Sequence, residues 1–192
     1  MATDILAKSI NGGRHQTLLG TTGEQFDFAV RTLHYPLTPE VKFTSIRDLR
    51  QSLEITLRKL GESEIGCLSI HGHGKKYDNG PVIEMGDDLL HHSTLNEYAD
   101  EFRKIGRLMS SKGRIEFLQC FAGAGEKLMP ALAKLVGVPV AGEIKLNGLS
   151  PVLEPVQNVL FDATALAFDH EKGTKVGAGK RTYHPDGSVV AD

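Results

Sequence analysis

The sequence predicts an α/β domain with a mostly parallel sheet and helices on both faces. Three observations predict it. Short apolar runs of strand length recur at Ile65–Ile70, Ile115–Gln119 and Val138–Ala141. The segments between them carry apolar residues at helical spacing. Strands separated by helices pair in parallel, because only a long crossover returns the chain to the same sheet edge.

The elements follow in order. Met1–Glu24 is rich in Gly and Thr, has no clear period, and reads as an irregular lead-in. Gln25–Leu33 alternates apolar and polar residues, a strand pattern. Pro36 and Pro39 mark a connection. Ser45–Leu60 places Ile46, Leu49, Leu53, Ile55, Leu57 and Leu60 near helical spacing, with Ser45 as N-cap and Gly61 as stop. After the Ile65–Ile70 strand comes a polar loop, Lys75–Pro81, and Val82–Met85 reads as a strand or hairpin arm. Ser93–Met109 is the next helix, striped by Leu95, Tyr98, Ala99, Phe102, Ile105 and Leu108. Gly125–Leu135 is a third, with a kink expected at Pro130. Leu149–Ala165 has no clear pattern, and Pro185-Asp186-Gly187 is a turn between two strand-like arms. The expected organisation is a single domain over 25–192, with a β-rich C-terminal extension from about 143.

Composition narrows the function. A chain of 192 residues with 40% apolar and 24% charged residues builds one ordinary core. A formal charge of −2 argues against a nucleic-acid or membrane-surface partner held by bulk charge. Trp is absent and aromatics are 6%, which disfavours base-stacking platforms. No apolar run approaches the roughly 20 residues of a membrane span. The N-terminal residues lack the charged-then-apolar order of a leader peptide. With only Cys67 and Cys120, no disulfide framework is expected. The reading is a cytoplasmic protein, or one exported without a signal peptide.

The chemistry sits at two predicted strand ends, where a parallel sheet collects its reacting groups. The first reads SIHGHG, with His71 and His73 each followed by glycine. The second reads LQCFAGAG, with Cys120 followed by a glycine-rich turn and then a helix. A thiol attacks as thiolate, so it needs a base nearby, and an imidazole from the adjacent strand end would serve. Cys67 lies inside its strand and reads as core. His-x-His also places both rings on one strand face, so a metal site with His91, His92 or Asp88 as third ligand is the rival reading. Gly123 and Gly125 complete no phosphate motif, because the Lys-Ser/Thr pair of a P-loop is missing.

An apolar strand ending in His-Gly, a helix, and an apolar strand ending in Cys together resemble the caspase-like (clan CD) cysteine peptidases. The order matches too: 47 residues separate His73 from Cys120, against about 50 in caspases. The Gly-His-Gly form of metacaspases and separase aligns His73 with the catalytic histidine. The Ser-His-Gly form of caspases would use His71, with Ile70 in place of serine. The stretch from Ile115 to Glu143 is closer in style to bacterial caspase-like, CHAT-type domains. One departure is that Gln119, not Ala, directly precedes the cysteine.

The resemblance implies a three-layer α/β/α fold and a bacterial cysteine endopeptidase. Cys120 would be its nucleophile and His73 its acid and base, with His71 as the other candidate. Backbone groups near Gly72, Gly74 and Gln119 would hold the oxyanion. It implies no cofactor and no metal, and a protein or peptide substrate, with a regulatory protein partner in a larger assembly as a further expectation. Asp27, Glu84, Asp87 and Asp88 are acidic candidates for a substrate pocket. Two alternatives stand beside it: a caspase-like module whose site is inactive and which serves binding or assembly, and a metal-dependent hydrolase.

Overall fold

A computed structural model of the protein describes residues 2–10, 38–119, 121–144, 168–169, 174–175 and 180–191. Its centre is a seven-stranded sheet. The strands are β1 (Ala2–Ser9), β2 (Glu40–Phe43), β3 (Glu64–His71), β7 (Met109–Phe117), β8 (Val140–Glu143), β11 (Lys180–Tyr183) and β12 (Val189–Ala191). In space they run β2-β1-β3-β7-β8-β11-β12. The first five are parallel neighbours. The tail hairpin β11–β12 adds antiparallel to β8, around the turn expected at Pro185–Gly187. A two-stranded antiparallel pair joins β9 (Phe168–Asp169) to β10 (Thr174–Lys175).

The N-terminal reading is corrected. Ala2–Ser9, expected to be irregular, is a strand flanked on both sides. Ile5, Leu6 and Ala7 are buried there. A strand covered on both faces needs no alternation, so a three-residue apolar run between polar ends left little pattern to read. The strand expected at Gln25–Leu33 and the segment 149–165 lie outside the described residues.

Helix α1 (Ile46–Leu60) obeys its expected caps. The Ser45 hydroxyl accepts from the Asp48 amide at 3.1 Å, and the Asp48 carboxylate accepts from the Thr44 amide at 2.9 Å. Gly61 closes the helix at φ 69°. Ile46, Leu49, Leu53 and Leu57 are buried, whereas Ile55 and Leu60 face solvent at 47% and 45% exposure. The second helix begins with a 3-10 turn, Leu95–Tyr98, and continues as α2 (Ala99–Leu108). Helix α3 (Leu128–Val136) holds Pro130 in its first turn, where no N–H is needed, so the expected kink has no cause.

Three parallel crossovers, each through one helix, advance in the same direction across the sheet. Right-handed connections then place α1, α2 and α3 side by side on one face, and neighbouring helices pack together. Helices of the expected second layer are not among the described residues. The face away from α1–α3 is polar around β3 and β7: Cys67, Ser69, Arg114 and Glu116 share it, and Lys180 meets Glu116 at 3.0 Å. Cys67 is therefore only half-buried, 3.8 Å from the Ser69 hydroxyl, rather than plain core.

A second sheet stands at the carboxyl end of the first. It comprises β4 (Gly74–Tyr77), β5 (Gly80–Met85) and β6 (Asp88–Leu90), in the order β4-β5-β6. The stretch read as a polar loop, Lys75–Pro81, is thus a hairpin. Its first arm has no apolar pattern because Lys75, Lys76 and Tyr77 are all exposed. Ile83, Met85 and Leu90 anchor the unit in the core. Among the described residues, no helix is long and apolar enough to cross a membrane.

Candidate functional site

The register of the central strands sets the site. β3 and β7 pair in parallel with Ile70 opposite Phe117, and the Leu118 amide donates to the Ile70 carbonyl at 2.9 Å. His73 is three residues beyond Ile70, and Cys120 is three residues beyond Phe117. Cys120 itself lies outside the described residues, while Gln119 and Phe121 on either side of it are described. The two strand ends converge: a Cβ on Gly72 would lie 3.5 Å from the Gln119 amide nitrogen and 2.9 Å from the Ser9 Cβ. Only glycine fits there.

The turn after Cys120 is held on three sides. Phe121 adopts φ 59°, the left-handed region, and no other described non-glycine residue does. Such a conformation costs on the order of 1–3 kcal/mol and persists where its surroundings impose it. Ala122–Ala124 forms a 3-10 turn closed by the Ala124 amide on the Phe121 carbonyl at 2.9 Å. Gly123 abuts β8, where a Cβ would come within 2.2 Å of the Gly142 carbonyl oxygen. The buried Tyr183 hydroxyl donates to the Gly123 carbonyl at 2.9 Å, with the Gly125 carbonyl at 3.3 Å. Gly125 in turn sits against Pro81 of the hairpin. Sequence reasoning missed Tyr183, because its partners lie some 60 residues earlier and no local spacing signals them.

Gln119 is fully buried. Its amide nitrogen has the Met85 sulfur at 3.9 Å, and its side-chain oxygen has no hydrogen-bond partner.

The two histidines differ. His71 ends β3 beside Lys8 of β1, and it is partly buried. Burial, then the neighbouring His73 and Lys8, lower its pKa to about 4. Its ring is neutral at pH 7, and so low a pKa makes it a weak base. His73 is exposed, and its carbonyl accepts from the Glu84 amide at 2.9 Å. A stability effect follows from His71. Its folded pKa lies below its ordinary 6.5, so between pH 6.5 and 4 the unfolded chain takes up the proton first. Stability is present above pH 6.5 and is lost as pH falls to about 4, by at most about 3 kcal/mol. Thermal melts across this range should fall toward acid, and His71→Gln should flatten the fall.

The acidic candidates separate. Asp27 lies outside the described residues. Glu84 is buried on β5, at 5% exposure. The Asp87 amide is tied to the Thr44 carbonyl at 2.7 Å. Asp88 accepts from the Ile46 amide at 2.8 Å and thereby caps α1 from another element. That contact gives Asp88 a structural task. Asp88→Ala should cost about 1–2 kcal/mol, measured as a shifted urea midpoint, with any activity unchanged.

Among the described residues, no three His, Cys, Asp or Glu side chains gather as a metal-binding group. His91 is buried, with its Nδ1 2.8 Å from the Ser93 hydroxyl and its Nε2 3.2 Å from the Asn79 carbonyl and 2.9 Å from Nδ1 of His92. This pair braces the hairpin tip. Cys67 has its pKa raised, first by burial and then by Glu116.

Among solved structures that share this fold is a secreted C11 cysteine protease from Bacteroides thetaiotaomicron, bound to an irreversible peptide inhibitor. The likeness covers 97% of this chain and 67% of that one, with a TM-score of 0.51 and 9% identity. At that identity the likeness carries the fold alone, and that fold is caspase-like. No curated protein matches the chain in sequence. Residues 28–151, more than half of the chain, match the family model of a domain of unknown function, and the chain belongs to that family, DUF4347.

Proposed function

We propose that the chain is a cysteine endopeptidase in which Cys120 attacks a peptide carbonyl and His73 takes and returns the proton. One observation supports it: β3 and β7 pair in parallel with Ile70 opposite Phe117, and His73 and Cys120 each follow three residues later in sequence. The exposed position of His73 and the near-acidic pKa of His71 favour His73 as acid and base. In this reading Gly74 supplies a backbone N–H to the oxyanion. The bacterial, CHAT-like character and a regulatory protein partner belong to the same proposal, as does a single domain that includes β1.

An iodoacetamide probe tests it. Cys120 should label much faster than Cys67, whose raised pKa makes it an internal control. Cys120→Ala should remove both the fast label and peptide cleavage. Equal, slow labelling of the two cysteines overturns the reading.

A further inference from the structure

We infer that the open edge of β4 is where substrate docks, as an extended peptide carrying acidic side chains beside His73. The inference rests on the peptidase reading for the word substrate, and on the hairpin alone for the docking.

The backbone pattern gives the edge. β4 and β5 are antiparallel, with Lys75 opposite Val82 and Tyr77 opposite Gly80. The Glu84 amide donates to the His73 carbonyl at 2.9 Å, which makes His73 a hydrogen-bonded position. Such positions alternate along an antiparallel pair. Lys75 and Tyr77 therefore also bond inward to β5. Gly74 and Lys76 do not, and Pro81, which has no N–H, stands opposite Lys76. The N–H and C=O groups of Gly74 and Lys76 thus point away from β5. β4 is the last strand of its sheet among the described residues. A row of this kind, unpaired among the described residues, accepts an added strand.

The side chains give the chemistry. Along β4, His73, Lys75 and Tyr77 share one face. Lys75 stands two residues from His73, roughly 6.6 Å along the strand. Tyr77 follows, 52% exposed, and Lys76 projects from the opposite face. Neither lysine enters an ion pair among the described residues. Glu84, the acid on the His73 face of β5, is buried, so the exposed charge of β4 itself is positive. Both β4 and β5 pack on the Ala122–Ala124 turn that follows Cys120. The edges of the central sheet, β2 and β12, border neither motif. A peptide on β4 would pair its backbone with Lys76 and the Gly74 carbonyl, leaving the Gly74 N–H for the oxyanion, and set an acidic residue against Lys75.

The test uses the Cys120→Ala chain, so that binding is read without cleavage. Fluorescence anisotropy compares a labelled octapeptide with alternating acidic residues, its lysine counterpart, and the acidic peptide N-methylated at alternate residues. The acidic peptide should bind at least ten-fold tighter than the lysine one. N-methylation on the pairing edge should weaken it ten-fold or more. Adding Lys75→Glu and Lys76→Glu, two exposed changes checked by an unchanged melt, should reverse the charge preference. Equal binding of acidic and basic peptides, or no effect of the double change, overturns the inference. A fast-labelling Cys120 without acidic preference overturns the β4 assignment alone. Acidic-peptide binding beside an unactivated Cys120 supports the docking edge and overturns the peptidase reading.

Discussion

His73→Ala should lower kcat/KM by about 10²- to 10⁴-fold, the range that general acid–base catalysis contributes. The same change should slow alkylation of Cys120 and leave the melting temperature nearly unmoved, because His73 is exposed at a strand end. His71→Ala should behave in the opposite way. His71 lies in β3 beside Lys8, and its low pKa leaves it neutral and weakly basic at pH 7. Its loss should change acid stability more than turnover. The pH profile of labelling separates the two. With His73 present, Cys120 should react well below the ordinary thiol range, and with His73→Ala the profile should move up toward it. A full loss on His71→Ala with near-normal rates on His73→Ala would reverse the assignment and favour the Ser-His-Gly alignment.

What could be read from the residues follows a physical rule. Elements with a one-sided burial pattern were legible: α1 shows its stripe, its Ser45 cap and its Gly61 stop in plain sequence. The strands that precede His73 and Cys120 in sequence, β3 and β7, were legible because each ends in a short apolar run that stops at a polar, glycine-containing motif. β1 was not, since a central strand needs no alternation. The β4–β5 hairpin was not, since Lys75 and Lys76 carry no apolar face and its turn resembles any polar loop. The capping role of Asp88 was not legible, because its contact with the Ile46 amide joins residues 42 apart. Tyr183, the β11 anchor of the cysteine turn, depends on a pairing 58 to 60 residues apart in sequence. Local pattern reports what one element does with its own face, and the supports of this site come from other elements.

The largest loss of stability is expected from Gly86→Ala. Gly86 turns the chain between β5 and β6 at φ 70°, where a Cβ is strained in any surroundings. The surroundings are also closed. A Cβ there would lie 2.1 Å from the carbonyl carbon and oxygen of Thr44 and 2.7 Å from the Ser45 nitrogen. These are backbone atoms at the start of α1, so no rotamer change relieves the contact. The chain cannot shift cheaply either. The Gly86 amide donates to the Ser9 hydroxyl at 2.6 Å, and the next amide, Asp87, donates to the Thr44 carbonyl at 2.7 Å. Moving the turn outward would break both, and would draw Asp88 away from the Ile46 amide it caps. Strain, overpacking and lost hydrogen bonds together should cost at least about 3 kcal/mol. For a chain of this length that is a drop of roughly 6–12 °C in melting temperature. Calorimetry on the purified variant checks it, and a drop below 2 °C would show that the turn can yield. The same turn joins the ends of β1 and β2 to the sheet whose other edge begins at His73, so the variant should also lose peptide binding before it unfolds. Anisotropy measured 10 °C below its midpoint separates that loss from global melting.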